Sequence, residues 1–292
     1  MIRALTLLLI LQAGLIALLY WPDKAPVVPD SLLPAELVVS AIQIADGDSE
    51  VELRREASRW TVGGLPADAD RVQRVLATLQ REPGFAIARS ASAAARFGVA
   101  EDDYERRIGI DSPRGSIRLF LGTAPSFGKI HVRRDGDDGI HVLELNSVDV
   151  PATVSGWLDR SLLAEKSPTS IELYGTRFDL TTDGWQSAAG VIEGAAIDGL
   201  LQALATLQVS AVADPAVIAS VVNDGTITGD NITESLRLLV NGDELALLHD
   251  PDADRYYLRS SRYEPVFDLS ALDAQRLLDG ARTLGESATP AT

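Results

Sequence analysis

The sequence predicts an α+β protein: an N-terminal transmembrane helix, then two tandem homologous units of mostly antiparallel strands with packed helices. Three observations carry that expectation. The first 21 residues are almost wholly apolar. The phrase RVLATLQ at residues 74–80 returns as QALATLQ at residues 202–208. Around each copy, alternating apolar and polar residues mark short strands in the same order.

The opening MIRALTLLLILQAGLIALLYW holds one charge, Arg3, before an 18-residue apolar run from Ala4 to Trp21. About 20 helical residues cross a hydrocarbon core, so this run suffices for an anchor over residues 1–21. Arg3 sets the N-terminus on the cytoplasmic side, and Tyr20 and Trp21 suit the far interface. The competing readings are a cleaved signal peptide, which lacks its small-x-small site here, and a buried helix of a soluble domain. Residues 22–36 contain Pro22, Pro26, Pro29 and Pro34 and read as a stiff linker.

The first unit is assigned to residues 37–163 and the second to 164–286, with a disordered tail at 287–292. In the first, Ile42, Ile44, Val51 and Leu53 alternate with polar residues, a DG turn intervenes, and Trp60 begins another strand. In the second, Ile171, Leu173, Phe178, Leu180 and Trp185 follow the same order. Val72, Val75, Leu76 and Leu79 share one helical face, after acids that suit a helix N-terminus. Ile197, Leu200, Leu201 and Leu204 repeat that spacing. Both stripes read as core faces. Further along, aligning Ser116 with Ser235 matches the later strands, with the TAPSFGK turn shrinking to a tight one. Each copy is expected to close on a helix, over residues 152–163 and 271–284. The two units either carry separate sheets or share one continuous sheet.

Composition narrows the chemistry. The 292 residues include 42 Asp plus Glu against 26 Lys plus Arg, a net charge of −16. Without a basic stripe, such a surface repels nucleic acid. The absence of Cys excludes disulfides, thiolate nucleophiles and Cys-ligated metals. The histidines are His131, His141 and His249. His131 and His141 fall in facing strands of one hairpin, where they read as surface or sheet residues. Asp250, Asp252 and Asp254 alternate as in a calcium loop, but Arg255 and Ser261 stand where Gly and Glu are needed. They read as a solvated turn. The stretch GTAPSFGK is one residue too long for a phosphate loop and is flanked by strands. It reads as a hairpin loop with Phe127 at its apolar tip. Trp60 and Trp185 read as core anchors. Phe127 and Trp157 are the candidate partner contacts. No residue pattern predicts a catalytic centre, a metal or a cofactor.

With these landmarks in order, residues 40–163 resemble the bacterial family known as domain of unknown function 4340. The resemblance rests on Trp60 with Leu65, Pro66, Ala67 and Asp68, the helix to Leu79, and Phe97-Gly98-Val99, where the family tends to show Tyr-Gly-Leu. Leu119 to Gly122 and the closing Trp157 to Leu163 complete it, and the second copy is a degenerate echo. The proline usual after Tyr-Gly-Leu is absent. The resemblance implies a protein of the bacterial inner membrane with its bulk extracytoplasmic, of a family often found beside ABC-type transporters. The expected role is then a non-enzymatic accessory or scaffold acting through protein contacts. The alternative is a module binding a glycan, peptide or lipid in the groove between the repeats.

Overall fold

The computed structural model describes residues 31–214 and 232–288. It consists chiefly of two nine-stranded sheets, each wholly antiparallel. The first is built from β1 (Ala41–Ala45), β2 (Glu50–Glu56), β3 (Arg59–Val62), β4 (Leu65–Pro66), β5 (Ala88–Arg89), β6 (Arg106–Ser112), β7 (Gly115–Leu121), β8 (Ile130–Arg134) and β9 (Gly139–Leu143). The second contains β10 (Ser170–Leu173), β11 (Thr176–Thr181), β12 (Gly184–Ser187), β13 (Gly190–Val191), β14 (Val209–Val212), β15 (Thr233–Val240), β16 (Asp243–Asp250), β17 (Arg255–Ser260) and β18 (Tyr263–Leu269). Four helices occur among the described residues: α1 (Ala69–Leu79), α2 (Ala91–Arg96), α3 (Gly194–Ala205) and α4 (Ala271–Ala288).

The strand order is β4-β3-β2-β1-β6-β7-β8-β9-β5 in one sheet and β13-β12-β11-β10-β15-β16-β17-β18-β14 in the other. Position by position these are the same order, so the fold is duplicated, with two separate sheets rather than one continuous sheet. Register makes the equivalence residue-specific. The Ala67 N–H bonds the Trp60 carbonyl and the Ile192 N–H bonds the Trp185 carbonyl, both at the same ladder position. Leu121 pairs with Val132 as Leu247 pairs with Leu258, 126 residues on.

Several expectations are corrected. The α+β class with an N-terminal transmembrane helix gives way to a mainly antiparallel β architecture. Strand residues outnumber helical ones about two to one among the described residues, and the helices cover the faces of the sheets. No described helix is long and apolar enough to cross a membrane. The single-pass inner-membrane anchor is therefore unsupported, and residues 1–21, on which it was placed, lie outside the described residues. The first closing helix is also absent. After β9 the chain makes two short 3-10 turns, Ser147–Asp149 and Val154–Gly156, whereas the second unit closes on the 18-residue α4. Gly156 packs so close to Pro151 that a Cβ there would lie 2.4 Å from its ring, a contact that no regular helix provides.

The strand alignment moves by one. Ser116 lies in β7, but Ser235 lies in β15, whose counterpart is β6. Ile108 joins Ile44 to Leu119, as Leu238 joins Leu173 to Leu245. Beyond these residues the β6–β7 hairpin has two more ladder pairs than β15–β16, so the copies differ there in strand length.

One face of each sheet carries the main core. In the first unit Ile42, Ile44, Val51, Leu53, Val62, Ile108 and Ile110 pack under Val72, Val75, Leu76 and Leu79 of α1. Leu32 and Leu33, in the stretch read as linker, are buried in this core, and the Leu33 N–H bonds the Leu79 carbonyl. In the second unit Ile171, Leu173, Phe178 and Leu238 pack under Ile197, Leu200 and Leu204 of α3 and Leu277, Ala281 and Leu284 of α4. This core reaches back across the junction to include Leu65, Leu158, Leu162 and Leu163. Backbone bonds from Asp159 to Pro66, from Val209 to Arg160 and from Glu165 to Leu204 stitch the junction to both units.

Candidate functional site

A groove of about 740 Å³ runs along α1 at that junction. One wall is the helix, through Arg71, Arg74, Val75 and Thr78. The other comes from Glu144, Leu145 and Asp149 after β9, Leu158 to Ser161, and Gln208 at the start of the second unit's edge strand. The lining thus comes almost wholly from the first copy, with Gln208 as the second copy's contribution.

Asp68 sets up the helix wall. It is the N-cap, and its carboxylate accepts the Arg71 N–H at 2.8 Å. Its own N–H bonds the Trp157 carbonyl, fixing the helix start to the closing segment. One turn along, the Arg71 guanidinium donates to the carbonyls of Val148 (2.7 Å), Asp149 (3.3 Å) and Gly156. Burial pulls Arg71 below its ordinary pKa; Asp149 and Asp68 oppose the fall, and the neighbouring charges of Arg160 and Arg74 add to it. Arg71, Arg74 and Arg160 thus line one groove, and Arg71 lies near enough to each of the other two to feel its charge.

Their situations differ. Arg71 is committed to the backbone, but Arg74 and Arg160 are exposed and form no ion pair among the described residues. The acids of the groove are each engaged. Asp149 accepts from the Asn146 N–H at 2.9 Å, and Asp159 from the Ser161 N–H (2.9 Å) and hydroxyl (2.7 Å). Glu144 lies 3.7 Å from Arg81. Four carboxylates against the three guanidiniums of Arg71, Arg74 and Arg160 leave the lining at a net charge of −1. Among the described residues Arg74 and Arg160 are its charged side chains without a hydrogen-bond or ion-pair partner.

The duplication explains why the groove exists. Leu79 and Leu204 both accept a bond from the segment leading into their unit's first strand, which sets α1 against α3 at 125 residues' separation. On that register Arg71, Arg74 and Thr78 correspond to Ala196, Gly199 and Ala203. Small residues there let α4 come close: a Cβ on Gly280 would sit 2.7 Å from the Leu200 Cα and N. The first copy has long polar side chains at these positions and an irregular segment in place of the helix.

Of the residues singled out from sequence, Phe127 stands at the tip of the β7–β8 turn, 99% exposed. The turn is held by the Lys129 N–H on the Ser126 carbonyl and by the Gly128 N–H on Asn146 Oδ1. Trp157 is 0% exposed, with its indole N–H on the Pro151 carbonyl at 2.7 Å, so its role is packing. His131 and His141 are in facing strands but point to opposite faces, because His141 pairs with Val132 and His131 with Val142. His131 contacts Thr123 at 3.0 Å and His141 the Gly84 carbonyl at 2.8 Å. Both are buried, not surface, residues. The aspartate turn sits between β16 and β17, where Asp250 accepts from the backbone of Asp252 and Ala253. That is the position of TAPSFGK in the first copy, so the shortened counterpart of that turn is this one. Among the described residues no cluster of His, Asp and Glu has the makings of a metal site.

The groove residues Arg71, Arg74 and Arg160 were missed, since on a single helix Arg71 and Arg74 read as an ordinary solvated face. The available signal was their alignment with Ala196 and Gly199: charged against small residues at matching positions of a duplicated helix.

Residues 60–221 match the family described as Domain of unknown function (DUF4340). The match begins in β3 of the first sheet and runs past β14 of the second, so it includes every lining residue of the groove. No curated protein and no solved structure matches the chain.

Proposed function

Because the chain belongs to the DUF4340 family of domains of unknown function, we propose its function from the geometry: it is a non-catalytic binding module that holds an anionic ligand in the groove between its two units. The observation that carries this reading is the convergence of Arg71, Arg74 and Arg160 on one cavity, with Arg74 and Arg160 unmatched by any acid. Concave sites with a few convergent polar groups are the usual form of a ligand pocket, and about 740 Å³ lies in their size range. Guanidinium groups bind carboxylates and phosphates through paired N–H donors. Calorimetric titration with short carboxylates, phosphate and sulfated saccharides tests it. At least one class should bind, and R74E/R160E should weaken that binding by about ten-fold or more. If none binds, or the double variant binds equally well, the reading is wrong.

A second reading, contact with a protein partner such as a transport-complex subunit, is favoured by Phe127. A fully exposed aromatic ring on a hydrogen-bonded turn leaves its apolar area to be covered by something else. F127S should then abolish a partner contact while leaving groove binding intact, as a pull-down against the candidate subunit would measure.

A further inference from the structure

We propose that the ligand of the groove is an acidic peptide segment with separated carboxylates, lying along α1, rather than a compact polyanion; this rests on the anion-binding reading above. Four carboxylates, those of Asp68, Glu144, Asp149 and Asp159, share the lining with three guanidiniums. A phosphate dianion placed among them meets repulsion from most directions, and its concentrated charge has no single cationic cradle. A peptide distributes its charge. One carboxylate can pair with Arg74 on the helix and another with Arg160 on the junction, away from the acids that cap backbone turns.

Size and surface favour the same class. The helix wall is 11 residues long, about 16 Å, so the groove accommodates several residues of extended chain. A single ion would leave most of it filled with water. Val75, Leu145 and Leu158 provide an apolar floor for a side chain between the two carboxylates. Gln208 provides both donors and an acceptor, while the hydroxyls of Thr78 and Ser161, whose hydrogens go to the Arg74 carbonyl and the Asp159 carboxylate, keep oxygen lone pairs to accept from peptide N–H groups. The same mixed charge disfavours nucleic acid, whose closely spaced phosphates gain affinity only from an excess of cationic groups.

The test uses the full chain and three probes in fluorescence anisotropy or calorimetry: a labelled decapeptide carrying two glutamates flanking apolar residues, its glutamine counterpart, and inorganic phosphate. The acidic peptide should bind, the glutamine version should bind at least about ten-fold more weakly, and R74E and R160E should each lower affinity several-fold, more steeply at low salt. Both arginines are exposed, so these variants keep the fold, which circular dichroism verifies. Preferential binding of phosphate would overturn the peptide assignment and leave the anion groove standing. Equal binding of the two peptides would also overturn it. If neither the peptides nor phosphate bind, the peptide assignment fails, and the anion reading fails with it once the wider panel is negative.

Discussion

The guanidinium carbon of Arg71 lies 5.1 Å from the centroid of the Trp157 ring, and the same group donates to three backbone carbonyls around that tryptophan. Arg71 thereby ties both short turns of the irregular closing segment to the first turn of α1. Trp157 in turn is fully buried and anchors the segment from beneath.

Replacing Arg71 by methionine should leave those carbonyls without their donor and cost about 2–3 kcal/mol in urea unfolding. R71K should recover only a minor part, since an ammonium group cannot reproduce the planar fork that reaches three carbonyls. An unchanged unfolding midpoint in R71M would show that the segment is held by Trp157 alone.

Gly199 and Gly280 face one another across α3 and α4 but are not equivalent. A Cβ on Gly280 would meet the Leu200 backbone at 2.7 Å, whereas one on Gly199 finds the Gly280 Cα at 3.8 Å, an ordinary contact. G280A should therefore separate the helices and lower stability by about 1–3 kcal/mol. G199A should be neutral or stabilising by up to about 1 kcal/mol, through helix propensity. Thermal unfolding of the two variants side by side decides it, and equal losses would refute the assigned contact.

Gly122 follows β7 where the chain passes the Phe97–Gly98 backbone. An added Cβ would lie 2.0 Å from the Phe97 carbonyl oxygen and 2.3 Å from that of Gly98. Backbone cannot yield as a side-chain tip does, so G122A should cost more than about 3 kcal/mol or prevent folding. Soluble expression and the unfolding midpoint provide the readout. A wild-type midpoint in G122A would mean that this crossing is looser than described.

Asp46 accepts from Arg106 and from the Ser49 N–H, and the Arg106 bond is the chief reason that its carboxyl titrates below the usual carboxylate range. A depressed folded-state pKa contributes stability above the unfolded value of about 4, and that contribution is lost as pH falls through the lower folded value. D46N should thus be less stable than wild type near neutral pH, with the gap closing below about pH 4. Unfolding curves from pH 7 to pH 2.5 measure it. A gap that persists at the acid end would assign the loss to packing instead.

Much of the fold was legible because strands declare themselves locally. The alternation at Ile42, Ile44, Val51 and Leu53 and the helical stripe from Val72 to Leu79 are direct consequences of which faces are buried. The duplication was legible too, although the repeated phrase aligns three residues out of structural register. By letters Leu76 matches Leu204, but by hydrogen bonding Leu79 does. Leucine recurs every three or four residues on any core helix, so such a phrase slides. The one-strand slip at Ser235 has a similar origin, since neighbouring strands of a meander carry similar patterns. The closing segment misled because its fate depends on Gly156 meeting Pro151 and Arg71 reaching across, contacts between residues far apart in sequence. The groove was illegible for the same reason: Arg160 joins Arg71 and Arg74 only through tertiary packing.

In each sheet, α1 or α3 carries the chain from one edge strand to the opposite one: β4 to β5, and β13 to β14. Every neighbouring pair but two in each sheet is a simple hairpin, the exceptions being β1–β6 and β5–β9 in one and β10–β15 and β14–β18 in the other, so β5 has no partner until β9 has emerged, and β14 none until β18. Assembly order follows. The central hairpins can form as soon as they are synthesised, while the outer strand is left waiting as a half-placed ribbon. The Ile87 and Ala213 amides, which bond the Ile140 and Val266 carbonyls at 2.8 and 2.9 Å, should be the last backbone sites to gain protection in pulse-labelled refolding. Protection of these amides together with the first hairpins would reverse the order. On this topology the edge that closes each unit is also the part most exposed to mispairing with another chain before the fold is complete.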